Sequence, residues 1–293
     1  MAKNFIKNQV ARLCFAVLAL LLLLNFLQQM GWMPLRNYGV VIIYFLIFLL
    51  PMLIYIKRRG RKTSEVLRLR PLNIKYIPFT VVISIALCLI CSALNVLGYM
   101  LFSSLTAADQ PTAMFDFSTQ NPLMLLLTMV ILPAVTEELL IRGVVLSEYE
   151  QYGTARAIML SAVIFALFHA NPMHFLSLLV AGICYGLLTL LFDSVYPALI
   201  AHLFNNGAAL LVYYNKNYIT YILEDPLFLI FLLIAVFVVL MLALKMLEKI
   251  IAERGSKGKL RLLRRRSSRS PYRSICLWLF FIGCVAKAFL TYL

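Results

Sequence analysis

Long apolar runs recur from one end of the chain to the other, and they leave little choice of fold. Nine can be read, at approximately 10–30, 38–56, 76–102, 122–146, 156–170, 174–192, 196–214, 226–247 and 274–293. A membrane-spanning helix needs roughly 17 to 25 such residues, and only the fifth run falls short. Composition agrees: 63% of the 293 residues are hydrophobic, 13% are charged and mean hydropathy is +0.91. A soluble domain carries roughly 25% charged residues. The expected fold is all-α, a polytopic membrane helix bundle of about eight to nine transmembrane helices, with any catalytic groups inside it. No internal repeat and no water-soluble domain interrupts the series.

The formal net charge of +15 does not indicate a nucleic-acid partner, because no soluble fold is left over to bind one. The basic residues instead cluster between apolar runs, as membrane topology and contact with anionic lipid require. Lys3, Lys7 and Arg12 lie around the start of the first run. Lys57, Arg58, Arg59, Arg61, Lys62, Arg68, Arg70 and Lys75 fill the gap after the second. Nine Lys or Arg residues and no acid lie from Arg254 to Arg273. The connection from Ser103 to Gln120 has Asp109 and Asp116 but no base. With the N-terminus in the cytoplasm, every basic cluster falls inside and the acidic connection outside. Nine spans then put the C-terminus outside, and the expected location is a bacterial cell membrane.

The cysteines Cys14, Cys88, Cys91, Cys184, Cys276 and Cys284 all sit in or at the ends of apolar runs, where cysteine packs as a small hydrophobe. Cys88 and Cys91 form a C-x-x-C, but no second pair or histidine follows at metal-ligand spacing. The first run is too long for a signal peptide and lacks a small-residue cleavage site, so it is expected to remain as a helix.

Against this background Glu137, Glu138 and Arg142 stand out, because an ionisable side chain at mid-membrane costs at least about 2.5–3.5 kcal/mol. Glu138 and Arg142 are four apart and share a helix face, so they form an intrahelical ion pair. Glu137 points about 100° away and is aimed elsewhere in the bundle. One acid is thus structural and the other is available for work. Phe165 and His169 share a face on the fifth run, as do His202 and Asn206 on the seventh. Buried polar groups in lipid turn inward and pair, so three helices offer one inward-facing site. A carboxylate with a histidine can hold and deprotonate a water. A second histidine with an amide can donate to an oxyanion. Such a set suits water-mediated cleavage of an acyl bond, a peptide above all. The alternative that Glu137, His169 and His202 hold Zn²⁺ or another divalent metal stays open, although asparagine is a poor zinc ligand and no His-Glu-x-x-His occurs.

These three motifs, Glu-Glu-x-x-x-Arg, Phe-x-x-x-His and His-x-x-x-Asn, resemble those of the CAAX prenyl protease and bacteriocin-processing membrane family (Abi or CPBP). The resemblance covers roughly residues 120–215. It implies an intramembrane endopeptidase, glutamate-dependent or metallo, acting on a membrane-anchored peptide or protein that is prenylated or leader-bearing in some members. It implies Glu137 as general base sharing a water with His169, His202 and Asn206 on the oxyanion side, and Glu138, Arg142 and Phe165 as supporting residues. The chain then divides into N-terminal helices with a basic loop (1–119), the family-like core (120–215) and C-terminal helices with a basic linker (216–293).

Two other functions compete. A transporter would place ionisable groups along a path between related halves, and no such halves are visible. A non-catalytic immunity or scaffold protein would keep the pocket without turnover. Elsewhere, His174 and Asp193 read as turn residues. Tyr213, Tyr214, Tyr218 and Tyr221 read as an interfacial belt, and the final helix as peripheral to the chemistry. The drawn boundaries place His169 roughly 20 Å, and Glu137 roughly 13 Å, from the inner ends of their spans.

Overall fold

The computed structural model describes residues 9–31, 38–60, 62–103, 121–215, 226–256, 272 and 274–292. Among the described residues every regular element is a helix, and the chain is an integral membrane protein. Helix α1 covers Gln9–Gln29, α2 residues 38–58, α3 the single turn Thr63–Val66 and α4 Ile77–Ser103. Helix α5 covers Pro122–Tyr152, α6 Thr154–Phe168, α7 Phe175–Phe192, α8 Tyr196–Tyr214, α9 Pro226–Ser256 and α10 Ile275–Tyr292. Each apolar run has become one helix. Five stretches are long and apolar enough to cross a bilayer: Val41–Arg58, Ile74–Gly98, Pro122–Tyr152, Phe175–Phe192 and Ile230–Gly255. Helices α1, α6 and α10 supply shorter apolar segments. In α8 the polar His202, Asn205 and Asn206 dilute the apolar character. Lys3, Lys7, Arg61, Asp109, Asp116, Tyr218, Tyr221 and the basic linker beyond Ser256, apart from Tyr272, lie outside the described residues.

Helix α5 is the centre, packed against α2, α6, α7 and α8. Its backbone departs twice from α geometry, over Leu126–Ile131 and Leu139–Val145, where the hydrogen bonding widens to the π pattern. The first widening ends just before Pro133, and a third, Phe45–Leu49 in α2, ends just before Pro51. Proline has no N–H to return to the preceding turn, so the neighbouring N–H groups reach one residue further back. Leu132 N–H thus donates to Leu127 O, and Leu50 N–H to Phe45 O. The second widening in α5 contains Gly143, against which the backbone of Leu67 rests; a Cβ there would lie 3.1 Å from Leu67 Cα. Helix α9 packs on α4 and leaves Phe231, Leu233 and Phe237 exposed, as lipid-facing bulk should be.

The boundaries correct the depth mismatch in the sequence reading. Helix α5 runs on to Tyr152 and turns through Gly153 alone, at φ 104°, straight into α6 at Thr154. Glu137 therefore precedes Tyr152 by as many residues as His169 follows Thr154, and the two sit at one level.

The basic segment after α2 also differs from a purely solvated loop. Arg68 is buried, in the left-handed region at φ 53°, and pairs with Glu150 and, at 3.3 Å, with Asp193. Arg70 pairs with Asp193 as well, and Arg59 reaches Glu148 at 2.9 Å. Val195 N–H donates to Arg68 O and Ser194 Oγ to Arg70 O. Asp193 is indeed a turn residue, but a buried one that ties the basic segment to the ends of α5 and α7. Removing one partner of a buried ion network costs about 3–5 kcal/mol, whereas an exposed surface change stays within about 0.5. Arg68→Ala should therefore lower the thermal stability of the detergent-solubilised protein strongly, and Lys57→Ala, at an exposed position, should leave it nearly unchanged.

Candidate active site

The site is assembled around Phe165, a buried ring on α6. The Arg142 guanidinium lies over its face at 4.6 Å, and His169 and His202 meet it edge-on at centroid distances of 5.0 and 5.5 Å. Tyr185 of α7 stacks on His202 at 5.2 Å and also receives Arg142 over its ring at 5.1 Å. Four helices thus converge on one aromatic and cationic cluster.

Glu138 and Arg142 form the expected pair, Arg142 Nη1 lying 3.2 Å from Glu138 Oε1, with both side chains fully buried. Arg142 Nη2 donates to Gly182 O at 3.1 Å. The same Glu138 oxygen accepts from His202 Nδ1 at 2.9 Å. That last contact was not foreseen: the sequence places His202 with Asn206, yet the structure ties its ring to the structural acid. Asn206 follows one turn later on α8, half-buried, and its side chain makes no hydrogen bond among the described residues.

Glu137 is held apart from this pair. Its Oε2 lies 3.8 Å from His169 Nε2, too far for a direct hydrogen bond. His169 Nδ1 donates to Phe165 O at 2.9 Å, which leaves Nε2 as the acceptor facing Glu137. Both side chains line a cavity of about 210 Å³ shared with Tyr44, Phe48, Phe168 and Lys287, among others. The sequence-predicted residues therefore separate into two pairs of different character. Glu138 is buried in an ion-pair network, and Glu137 faces the cavity.

The donors do not gather into a metal site. Among the described residues no three of His, Cys, Asp and Glu are grouped to hold an ion. Glu137 faces His169, while His202 has its Nδ1 engaged by Glu138. Glu137, His169 and His202 are thus not gathered as one ligand set among the described residues.

Four contributors escaped the sequence reading. Tyr185 and Gly182 belong to a Gly-x-x-x-Gly spacing, Gly182 to Gly186, which signals close helix packing and was legible in principle. Tyr44 gave no local signal, whereas Lys287 is the one charged residue of the last apolar run and was legible as such. Helix α10, expected to be peripheral, brings Lys287 to the same cavity as Glu137 and His169, which corrects that expectation. His174, read as a loop residue, is hydrogen-bonded at Nδ1 to Asn95 of α4 at 2.9 Å.

Residues 119–208, which hold all three motifs, match the family model of the type II CAAX prenyl endopeptidase Rce1-like proteins. No curated protein and no solved structure matches the chain.

Gly182 is the closest backbone approach in the site. A Cβ there would lie 2.9 Å from Ala162 Cα and 3.0 Å from its Cβ, so alanine forces α6 and α7 apart and shifts the carbonyl that holds Arg142. Gly182→Ala should cost about 1–3 kcal/mol of stability. Gly207→Ala on α8, with nothing within 4 Å, should be neutral or gain up to about 1 kcal/mol from helix propensity. Thermal melts of the two variants in one detergent check the contrast.

Proposed function

We propose that this chain, whose residues 119–208 match the Rce1-like family model, is a protease of the CAAX/CPBP type that cleaves a peptide bond of a membrane-anchored peptide or protein with a water held between Glu137 and His169. The observation that carries the reading is the 3.8 Å separation of Glu137 Oε2 and His169 Nε2 across the cavity, with Nδ1 of the histidine already committed to Phe165 O. One water at about 2.8 Å from each atom spans that gap and gives a proton's hydrogen bond to both. Its oxygen lone pairs then face a carbonyl placed in the cavity.

The steps balance on this chain's own residues. As the water oxygen bonds to the carbonyl carbon, its O–H breaks and the proton passes to the Glu137 carboxylate. The carbonyl electrons move onto oxygen. Asn206, whose side-chain amide donors are not otherwise engaged among the described residues, donates to that oxyanion; His202, whose Nδ1–H is committed to Glu138, adds an Nε2–H only as an imidazolium paired with that carboxylate. Collapse of the intermediate expels the amine, which takes the proton back from Glu137. His169 positions the water throughout. The substrate is membrane-anchored because the groups that cut it lie within a membrane bundle; a prenyl or leader group is one way to supply the anchor. The positive-inside bias places the N-terminus and the basic segments in the cytoplasm, beside anionic lipid head groups.

Purified full-length protein in lipid, given a panel of membrane-anchored peptides, tests this. General-base catalysis contributes about 10²–10⁴-fold, so Glu137→Gln and His169→Ala should each lose at least about 10²-fold in kcat while keeping the wild-type melt. Asn206→Ala should lose about 10²-fold. Activity should persist in a metal chelator. Variants that cleave as well as wild type would overturn the reading in favour of a scaffold. Loss in chelator with recovery in Zn²⁺ would replace the water held by Glu137 and His169 with a metal mechanism.

A further inference from the structure

His169 stands at the C-terminal end of α6, where a helix has least to hold it. Its N–H donates to Ala166 O at 3.3 Å and that of Ala170 to Leu167 O at 3.0 Å, the tightened bonds of a closing turn. Ala170 then takes a left-handed conformation, φ 47°, that residues other than glycine disfavour. Helix ends of this kind fray unless something outside the helix ties them. Yet the water proposed above is placed only if His169 Nε2 stays across from Glu137.

The tie comes from α4, a helix outside the family-like stretch. Cys91, Asn95 and Gly98 of α4 are spaced four and three residues apart, so they share one face, and each meets a different part of the chain that follows His169. His174 Nδ1 donates to Asn95 Oδ1 at 2.9 Å, and the hydroxyl of the buried Ser177 reaches the same oxygen. Cys91 Sγ lies 3.6 Å from Ser177 O. Gly98 lets the backbone in, since a Cβ there would lie 1.9 Å from Met173 O. Within the turn, Asn171 Oδ1 accepts from the N–H groups of Met173 and His174 at 3.0 and 3.3 Å, and Met173 is buried. Of the three α4 residues, Asn95 is the one that holds two polar side chains at once, so losing its amide oxygen releases both His174 and Ser177.

Resting on the protease reading above, we propose that Asn95 is a positioning residue: by holding His174 and Ser177 it fixes the turn after α6 and keeps His169 Nε2 opposite Glu137. Asn95 touches neither the substrate nor the reacting water and takes no part in proton transfer. A residue that merely packed α4 against α7 would, when truncated, lower stability and leave His169 as it is. A positioning residue changes His169 in protein that is still folded.

The chain has three histidines, so histidine-selective isotope labelling of the full-length protein resolves their ring nitrogens by NMR, with His169→Ala identifying the His169 ring. Wild type should show His169 with its proton on Nδ1, as the bond to Phe165 O requires. Asn95→Ala should move or broaden the His169 ring signals. It should also lower kcat on membrane-anchored peptides by about tenfold or more while leaving KM within about twofold. Asn95→Asp, which keeps the acceptor oxygen, should bring back the signals and most of the rate. Ser177→Ala removes one of the two donors and should give a smaller change of the same kind; it carries the test if Asn95→Ala does not fold. Unmoved His169 signals in folded Asn95→Ala or, in its place, Ser177→Ala overturn the proposal. So does a rate loss that matches the loss of folded protein and is not recovered in Asn95→Asp. Glu137-dependent cleavage that runs at the wild-type rate in Asn95→Ala defeats this inference alone. His169 signals that move in Asn95→Ala, in a protein that cleaves nothing, defeat the protease reading and leave the placement of His169 by Asn95 standing.

Discussion

A guanidinium with no exposed surface, deep in a membrane bundle, is the constraint on which the site depends. Arg142 can be there only because several helices serve it at once. Glu138 supplies the opposite charge from its own helix, Gly182 a carbonyl from α7, and Phe165 and Tyr185 two ring faces from α6 and α7. Each contact demands a particular approach of helices. Gly182 must be glycine for α7 to reach α6, and His202 must enter from α8 to share the Glu138 oxygen. Truncating one member of such a network leaves the others buried and unpaired, which is why it specifies one packing.

That network also explains how neighbouring acids acquire opposite roles. Glu138 is neutralised by Arg142, bonded by His202 and closed off. Glu137, one residue earlier, is rotated away from the cation and looks across a cavity at a histidine whose other nitrogen is already tied to its own helix. Within one turn the helix thus carries a carboxylate that organises the bundle and one left to act. The widened turn from Leu139 to Val145 follows directly on this pair, where helices that build sites often depart from regular α geometry.

Much of this was legible in the residues because lipid penalises misplaced polarity so heavily. Apolar runs had to become helices, and Glu138 and Arg142 had to pair at four-residue spacing. Phe165 and His169 had to share a face. What stayed hidden came from relations between helices. The hydrogen bond from His202 to Glu138 joins residues on α8 and α5 that no spacing rule connects. Lys287 looked peripheral because nothing in α10 by itself says which helix its cation meets. Asp193 read as a turn residue and Arg68 as one charge of a basic cytoplasmic loop, because local chemistry describes each well; their burial depends on where α2, α5 and α7 end together. The level of His169 with Glu137 turned on a few residues of boundary, set by Gly153.

The division of labour between the two acids is the central claim, and a paired comparison of Glu137→Gln with Glu138→Gln tests it most directly. Melting temperature and single-turnover cleavage would be measured on the same full-length preparations in lipid. Glu137→Gln should melt like wild type and cleave at least about 10²-fold more slowly. Glu138→Gln, which leaves Arg142 buried without its counter-charge, should melt markedly lower. The reverse pattern, an unstable Glu137→Gln beside a stable but inactive Glu138→Gln, would contradict the account.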